Sequence, residues 1–256
     1  MRIAILCSDD AHHGYLVARL AERFDIAAVV VEPGDAQTRR LRRRGRYRDW
    51  LWARYHRLRR DLTGLNRYRR AYFGGGGPRP VPGAVWLETE TANAPAVADL
   101  LRASRPDVTV VMGTSILKPP VLEAGRCAIN IHGGYLPFYR GNHCFFFALY
   151  EERFDRIGST IHFVDAGIDT GDIIELVVPP LHADDNAERL YCRAEKMAID
   201  RLAEHLARLE QGRPLPRRPQ AGTGRTFRTR DRHPWHDLHL WARRRLGLTR
   251  LPEAAE

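Results

Sequence analysis

Arg2-Ile3-Ala4-Ile5-Leu6-Cys7 opens the chain, Tyr15-Leu16-Val17-Ala18-Arg19-Leu20-Ala21-Glu22-Arg23-Phe24 follows, and Ile26-Ala27-Ala28-Val29-Val30-Val31 completes the unit. The first and third runs are apolar without alternation, which predicts strands covered on both faces. In the middle run Leu16, Leu20 and Phe24 recur at four-residue steps, one face of a helix. Strand, helix, strand is a βαβ unit, and such units build parallel sheets. Working outward, 107–112 and 127–132 predict two more buried strands, with a helix over 93–103 before them. Residues 159–164 and 172–178 predict a strand pair, 145–150 a short helix and 186–209 a long one. The expected class is α/β: a mostly parallel twisted sheet with flanking helices, plus a C-terminal extension. The expected division is a catalytic domain over 1–180, carrying a basic insertion at 35–84, and a helix with extension over 181–256.

The composition, 44% hydrophobic and 28% charged in 256 residues, is that of a globular protein. No apolar run approaches the ~18 residues that a membrane span needs. Ser8-Asp9-Asp10 interrupts the first apolar run too early for a signal peptide, so a cytoplasmic location is expected. Cys7, Cys127, Cys144 and Cys192 are scattered without metal-ligand spacing, and neither a metal nor a disulfide is predicted. The net charge of +10 points to an anionic partner: nucleic acid, a phosphorylated substrate or a membrane surface.

Much of that charge lies in the insertion, which starts with Arg39-Arg40-Leu41-Arg42-Arg43-Arg44. Within it Leu51, Tyr55, Leu58, Leu62 and Leu65 form one apolar helical stripe, with arginines on the other faces. Three readings stand: a helix packed on the domain, a flap that binds phosphate or an acceptor molecule, or, through the basic helix 49–65 with Trp50 and Trp52, a contact with a membrane surface. Gly74-Gly75-Gly76-Gly77 and the prolines after it predict a loop. It lacks the strand–loop–helix context of a phosphate-binding loop.

The chemistry is concentrated between Asn130 and Gly171. Asn130-Ile131-His132 ends a predicted strand, and its period of two puts the amide and the imidazole on one face. Leu136-Pro137-Phe138-Tyr139-Arg140-Gly141, Thr160-Ile161-His162-Phe163-Val164-Asp165 and Ile168-Asp169-Thr170-Gly171 follow. Amide, imidazole and carboxylate together can bind a carbonyl oxygen, move a proton and orient the group that moves it. These four ordered motifs resemble the folate-dependent formyltransferase family. The resemblance implies a Rossmann-like sheet and formyl transfer from 10-formyltetrahydrofolate to an amine. It implies that Asn130 donates to the formyl oxygen, His132 stabilises the oxyanion and Asp169 supports His132. It places the folate against Met112, Gly113, Thr114, Ser115, Ile116 and Leu117, under a loop containing Asp165. His143 is a candidate acceptor contact. Thr160 and His162 are expected to be structural, and His12 and His13 to lie at the surface.

The acceptor is narrowed by departures from the family. Members acting on glycinamide ribonucleotide hold its phosphate on a glycine-containing turn after the first strand; here Asp9 and Asp10 would repel one. They are candidates for an amino group or a sugar hydroxyl instead. Gly133, Gly134 and Tyr135 stand where Pro-Ser usually follows the catalytic His, which predicts a reshaped acceptor rim. Too little chain follows residue 180 for the second domain of members acting on methionyl-tRNA. The first expectation is a small, phosphate-bearing amine, an amino sugar carried on a nucleotide, and the second an amino-acid-like amine of the hydroxyornithine type. A basic binding protein on an inactive scaffold is the third, but no nucleic-acid signature is present. A homodimer is a candidate assembly.

Overall fold

Ile3 to Cys7 of β1 (Arg2–Cys7) are fully buried, because a strand apolar on both faces is stable only between two layers of helices. The computed structural model describes residues 1–222, 224–249 and 251. Helix α1 (Ala11–Ala21) returns the chain to β2 (Asp25–Val31), parallel to β1. Three helices follow, α2 (Gly34–Arg43), α3 (Tyr47–Leu62) and α4 (Leu65–Tyr72), then the edge strand β3 (Val85–Glu88). Helix α5 (Pro95–Ser104) crosses back to β4 (Val108–Met112), and α6 (Pro119–Leu122) leads to β5 (Ala128–His132). The short β6 (Tyr139–Gly141) and α7 (Cys144–Tyr150) precede β7 (Ser159–Phe163) and β8 (Ile173–Val177). Helix α8 (Ala187–Glu210), β9 (Arg225–Phe227) and α9 (Pro234–Arg245) complete the chain.

The main sheet has the order β3-β2-β1-β4-β5-β7-β8, parallel as far as β5 and antiparallel over β7 and β8. The chain winds from β1 outward to β3, then restarts at β4 on the other side of β1. An open α/β sheet has its ligand crevice at such a reversal, beyond the carboxyl ends of the strands. On one sheet face Ile3, Ile5, Val29 and Val110 pack under α1 and α8; on the other Ala4, Leu6, Val30 and Val111 pack under α5 and α6. Leu190, Ala194, Ala198, Leu202 and Leu206 repeat every four residues along α8 and are fully buried. Helix α8 therefore belongs to the main body, and the expected division at 180 cuts through packed structure.

The insertion departs from one of its three readings, a single helix packed by its apolar stripe. It folds as three helices, and Leu51, Leu58 and Leu62 of α3 are 59%, 58% and 78% exposed. The inward face carries His56, whose Nε2 donates to the Thr229 carbonyl at 3.0 Å, and Trp52, whose ring meets His233 edge-on at 4.7 Å. The surface available to α3 is the polar segment before α9, so hydrogen bonds and aromatic contacts set its rotation. Strand β3 had no counterpart among the predicted strands: it is four residues long, at an edge, and follows the glycine–proline loop.

Glu32, just after β2, is fully buried and serves a structural purpose. It pairs with Arg40 at 2.6 Å and accepts from the Ala92 amide, the Ser115 amide and the Ser115 hydroxyl at 2.8–3.1 Å. It thus ties the segment after β4 to α2. Replacing it strands several buried donors, so Glu32→Ala is expected to lose about 3 kcal/mol in denaturant unfolding. A loss below about 1 kcal/mol would mean that the segment holds its shape without this anchor. No helix among the described residues is long and apolar enough to cross a membrane.

Candidate active site

A cavity of about 740 Å³ opens at the carboxyl ends of β1, β4 and β5, where the winding reverses. Asn130 and His132 reach it from alternate positions of β5. Each is held by a second group. The His162 Nδ1 lies 2.8 Å from the Phe163 carbonyl, an acceptor only, so that nitrogen carries the proton and Nε2 accepts. The Asn130 amide donates to that Nε2 at 3.0 Å. Burial, with His132 nearby, pushes the His162 pKa down to about 4, which keeps the ring neutral and this bond in place. One N–H of Asn130 is left for a ligand. The expected structural role of His162 is thus a specific one: it orients the amide.

The His132 Nε2 lies 3.0 Å from the Tyr139 carbonyl, and Nδ1 lies 3.4 Å from Asp169 Oδ2. Two acceptors match the two N–H donors of a charged imidazole. The Asp169 contact is the longer of the two. Asp169 stands at a positive φ of 53°, a turn conformation that a short polar side chain tolerates. Its Oδ2 also accepts the Gly141 amide at 3.0 Å. Gln220 grips the same turn by donating to the Asp169 and Gly171 carbonyls at 2.9 and 2.8 Å. Gly171 is required there, since a Cβ would overlap the Phe163 carbonyl. Cys144 Sγ lies 3.7 Å from His132, but burial, with Asp169 near, raises its pKa far above the usual thiol range; it stays a thiol and is no nucleophile.

Met112 to Leu117 line the same cavity beside Val164, and Ile116 and Ile168 stand 56% and 42% exposed at its wall. Asp165 also lines it, but spends Oδ1 on the Gly167 amide and the Thr170 hydroxyl, at 3.0 and 2.6 Å. It shapes the loop and makes no hydrogen bond to His132. His143 lines the cavity with its ring 4.5 Å from that of His56.

Four expected acceptor contacts are displaced. Asp10 pairs with Arg69 at 3.0 Å, and Asp9 accepts the Gly34 amide at 3.0 Å; neither lines the cavity. Tyr135 stacks on Phe138, 6.3 Å between centroids, outside the cavity. Gly134 is buried against His132: a Cβ there would lie 2.5 Å from the His132 Nε2 and 2.7 Å from the Tyr139 carbonyl. Gly133 does reach the cavity, where a Cβ would meet the Tyr191 ring at 2.7 Å. These glycines therefore make room for His132 and for α8.

Other cavity residues were not expected. His12 and His13 are buried rather than at the surface; the His12 Nε2 accepts from Tyr191 at 3.1 Å and the His13 Nδ1 from the Asp10 amide at 3.1 Å. Their place just after β1 was the available signal, since that is where an open sheet builds its site. Glu195 of α8 is buried at the cavity wall and accepts from the Ser159 hydroxyl at 2.6 Å. Burial pushes its carboxyl up from 4.5 to about 7, so the fold favours the protonated acid. Its contribution to stability is full below the unfolded value of 4.5 and is lost as pH rises through 7, up to about 3 kcal/mol. In unfolding measured from pH 4 to 8, Glu195→Gln should remove that downward slope; identical slopes in both proteins would refute it.

An amide donor, an imidazole and a carboxylate at the carboxyl edge of an open α/β sheet define a protein suited to managing a carbonyl group and a proton. Residues 1–206 match the family model described as formyl transferase, and the chain belongs to that family. A methionyl-tRNA formyltransferase from Chlorobium luteolum is 33% identical over 159 residues, 59% of this chain and 50% of that protein. The chain thus spans about half the length of such relatives. A sugar N-formyltransferase from Shewanella superposes with a TM-score of 0.56 at 16% identity, covering 89% of this chain and 76% of the other. Glycinamide ribonucleotide transformylase 1 from Symbiobacterium toebii gives 0.55 at 23% identity, covering 86% and 93%. At these identities the likeness is one of fold, and it bears out the expected Rossmann-like sheet. Among the described residues no group of three His, Cys, Asp or Glu is placed to hold a metal ion.

Proposed function

We propose that this chain transfers the formyl group of 10-formyltetrahydrofolate to the amine of a small, phosphate-bearing acceptor, with an amino sugar carried on a nucleotide as the first candidate. The observation that supports this is the convergence of Asn130, His132 and Asp169 on one cavity large enough for two small molecules. Met112 to Leu117, with Ile168 beyond, offer apolar side chains and backbone groups against which a flat pterin can lie.

The neutral amine attacks the formyl carbon, and the carbonyl oxygen takes up negative charge. The free N–H of Asn130 and the Nδ1–H of His132 donate to that oxygen. The new C–N bond forms, the bond from carbon to the folate nitrogen breaks, that nitrogen gains a proton and the acceptor nitrogen loses one. Asp169 holds the positive charge of His132 through these steps. The test is release of tetrahydrofolate across a panel of nucleotide-linked amino sugars, hydroxyornithine, glycinamide ribonucleotide and charged methionyl-tRNA. Turnover with a nucleotide-linked amino sugar is expected. Turnover with charged methionyl-tRNA alone would overturn the small-acceptor reading.

A further inference from the structure

The cavity extends into a region walled by α3 of the insertion and by residues 226–232, and the latter lie beyond the family match. Arg59, Arg60, Arg228 and Arg232 line it. Their charge is poorly balanced. Asp237 serves two of them, lying 3.4 Å from the Arg59 Nη1 and pairing with the Arg232 guanidinium. Among the described residues, Arg60 has only the Asn66 side-chain oxygen, at 3.3 Å, and the Arg228 guanidinium has no carboxylate partner. Arg69 is nearby but fully engaged by Asp10 and Glu188.

Burial makes this imbalance costly. The Arg59 Nε is buried and has no hydrogen-bond partner among the described residues, and neither has the His143 Nε2 beside it. An unpaired buried donor costs about 1–3 kcal/mol, more when charged. Burial, with Arg69 adjacent, lowers the Arg60 pKa; burial, against its Asp237 bond, lowers that of Arg232 to about 10. The Arg232 guanidinium also lies over the Phe146 ring, 3.6 Å from its centroid, and its contact with Asp237 further restricts it. His56 and His143 are kept neutral by burial and by Arg232, and add no charge of their own. A multiply charged oxyanion relieves all of these costs at once, and guanidinium forks match phosphate oxygens in geometry.

We propose that Arg59, Arg60, Arg228 and Arg232 form a phosphoanion subsite that takes the phosphate or diphosphate group of the acceptor; that it is the acceptor's group rests on the formyl-transfer reading above. The subsite would serve in place of the turn after β1, which carries the carboxylates of Asp9 and Asp10. It also joins the insertion to the C-terminal segment in one binding role, since Arg59 and Asp237 link the two.

Calorimetric titration of the full chain with pyrophosphate, orthophosphate and malonate at low salt tests this. Pyrophosphate is expected to bind tightest and malonate weakest. In Arg60→Gln/Arg228→Gln, affinity for pyrophosphate should fall by about 30-fold, with a melting temperature no lower than that of the wild type. The single, exposed Arg228→Gln should fall by about 5-fold and guards against a folding defect. Affinity unaffected by either variant would overturn the subsite. So would competition of tetrahydrofolate with pyrophosphate, which would assign these arginines to the glutamate tail of the cosubstrate. Arginine-dependent pyrophosphate binding in a chain that formylates nothing would retain the subsite and refute the transfer reading; formyl transfer without such binding would do the reverse.

Discussion

His132→Ala is expected to lower kcat for tetrahydrofolate release by about 10³-fold, within the range for loss of a positioned acid or oxyanion donor. The imidazole is the group that faces Asp169 and, in the proposed step, donates to the formyl oxygen. Its removal leaves Asn130 in place, because the amide is held by His162 and not by His132. The KM for the formyl donor should therefore change little, since the lost interaction forms only in the transition state. The melting temperature should stay within a few degrees, because the change is to a smaller side chain at a cavity wall. A variant retaining a tenth or more of wild-type kcat would remove His132 from the mechanism.

Asp169→Asn is the second large effect, expected at about 10²-fold in kcat. The amide oxygen can still accept from Gly141, so the turn survives. What is lost is the negative charge 3.4 Å from the His132 Nδ1 and 3.7 Å from the His162 Nε2. Without it the charged form of His132 loses its partner, and its N–H no longer has a carboxylate to share with the oxyanion. The expected signature is a loss in kcat greater than any loss in tetrahydrofolate affinity, measured by fluorescence titration on the same preparation. A variant defective only in folate binding would mean that Asp169 shapes the cosubstrate site and does not act on His132.

The placement of these side chains was legible because it rests on local pattern. Period two on β5 puts Asn130 and His132 on one face, and the Asp-x-Gly turn needs a residue tolerant of positive φ before a glycine that has no room for a Cβ. The buried strands were legible for a similar reason: runs such as Ile3 to Cys7 can exist only inside. The rest depends on contacts distant in sequence. Gln220 reaches Asp169 across 51 residues and Arg230 reaches Asp49 across 181, and no spacing rule links them. The leucines of α3 showed a helix but not its covered side, which the polar segment before α9 decides. Glu195 lay in a predicted long helix, and only the fold puts its carboxyl at the cavity wall.

The most direct test of formyl transfer to an amine follows the carbon itself. The chain would be incubated with 10-formyltetrahydrofolate labelled with ¹³C in the formyl group and with the acceptor that turns over. Carbon NMR would then identify the product. The predicted result is a formamide signal on the acceptor nitrogen, absent in His132→Ala. Label recovered as free formate at the wild-type rate, with no formamide, would contradict the account, because water and not an amine would then be the group that Asn130, His132 and Asp169 serve.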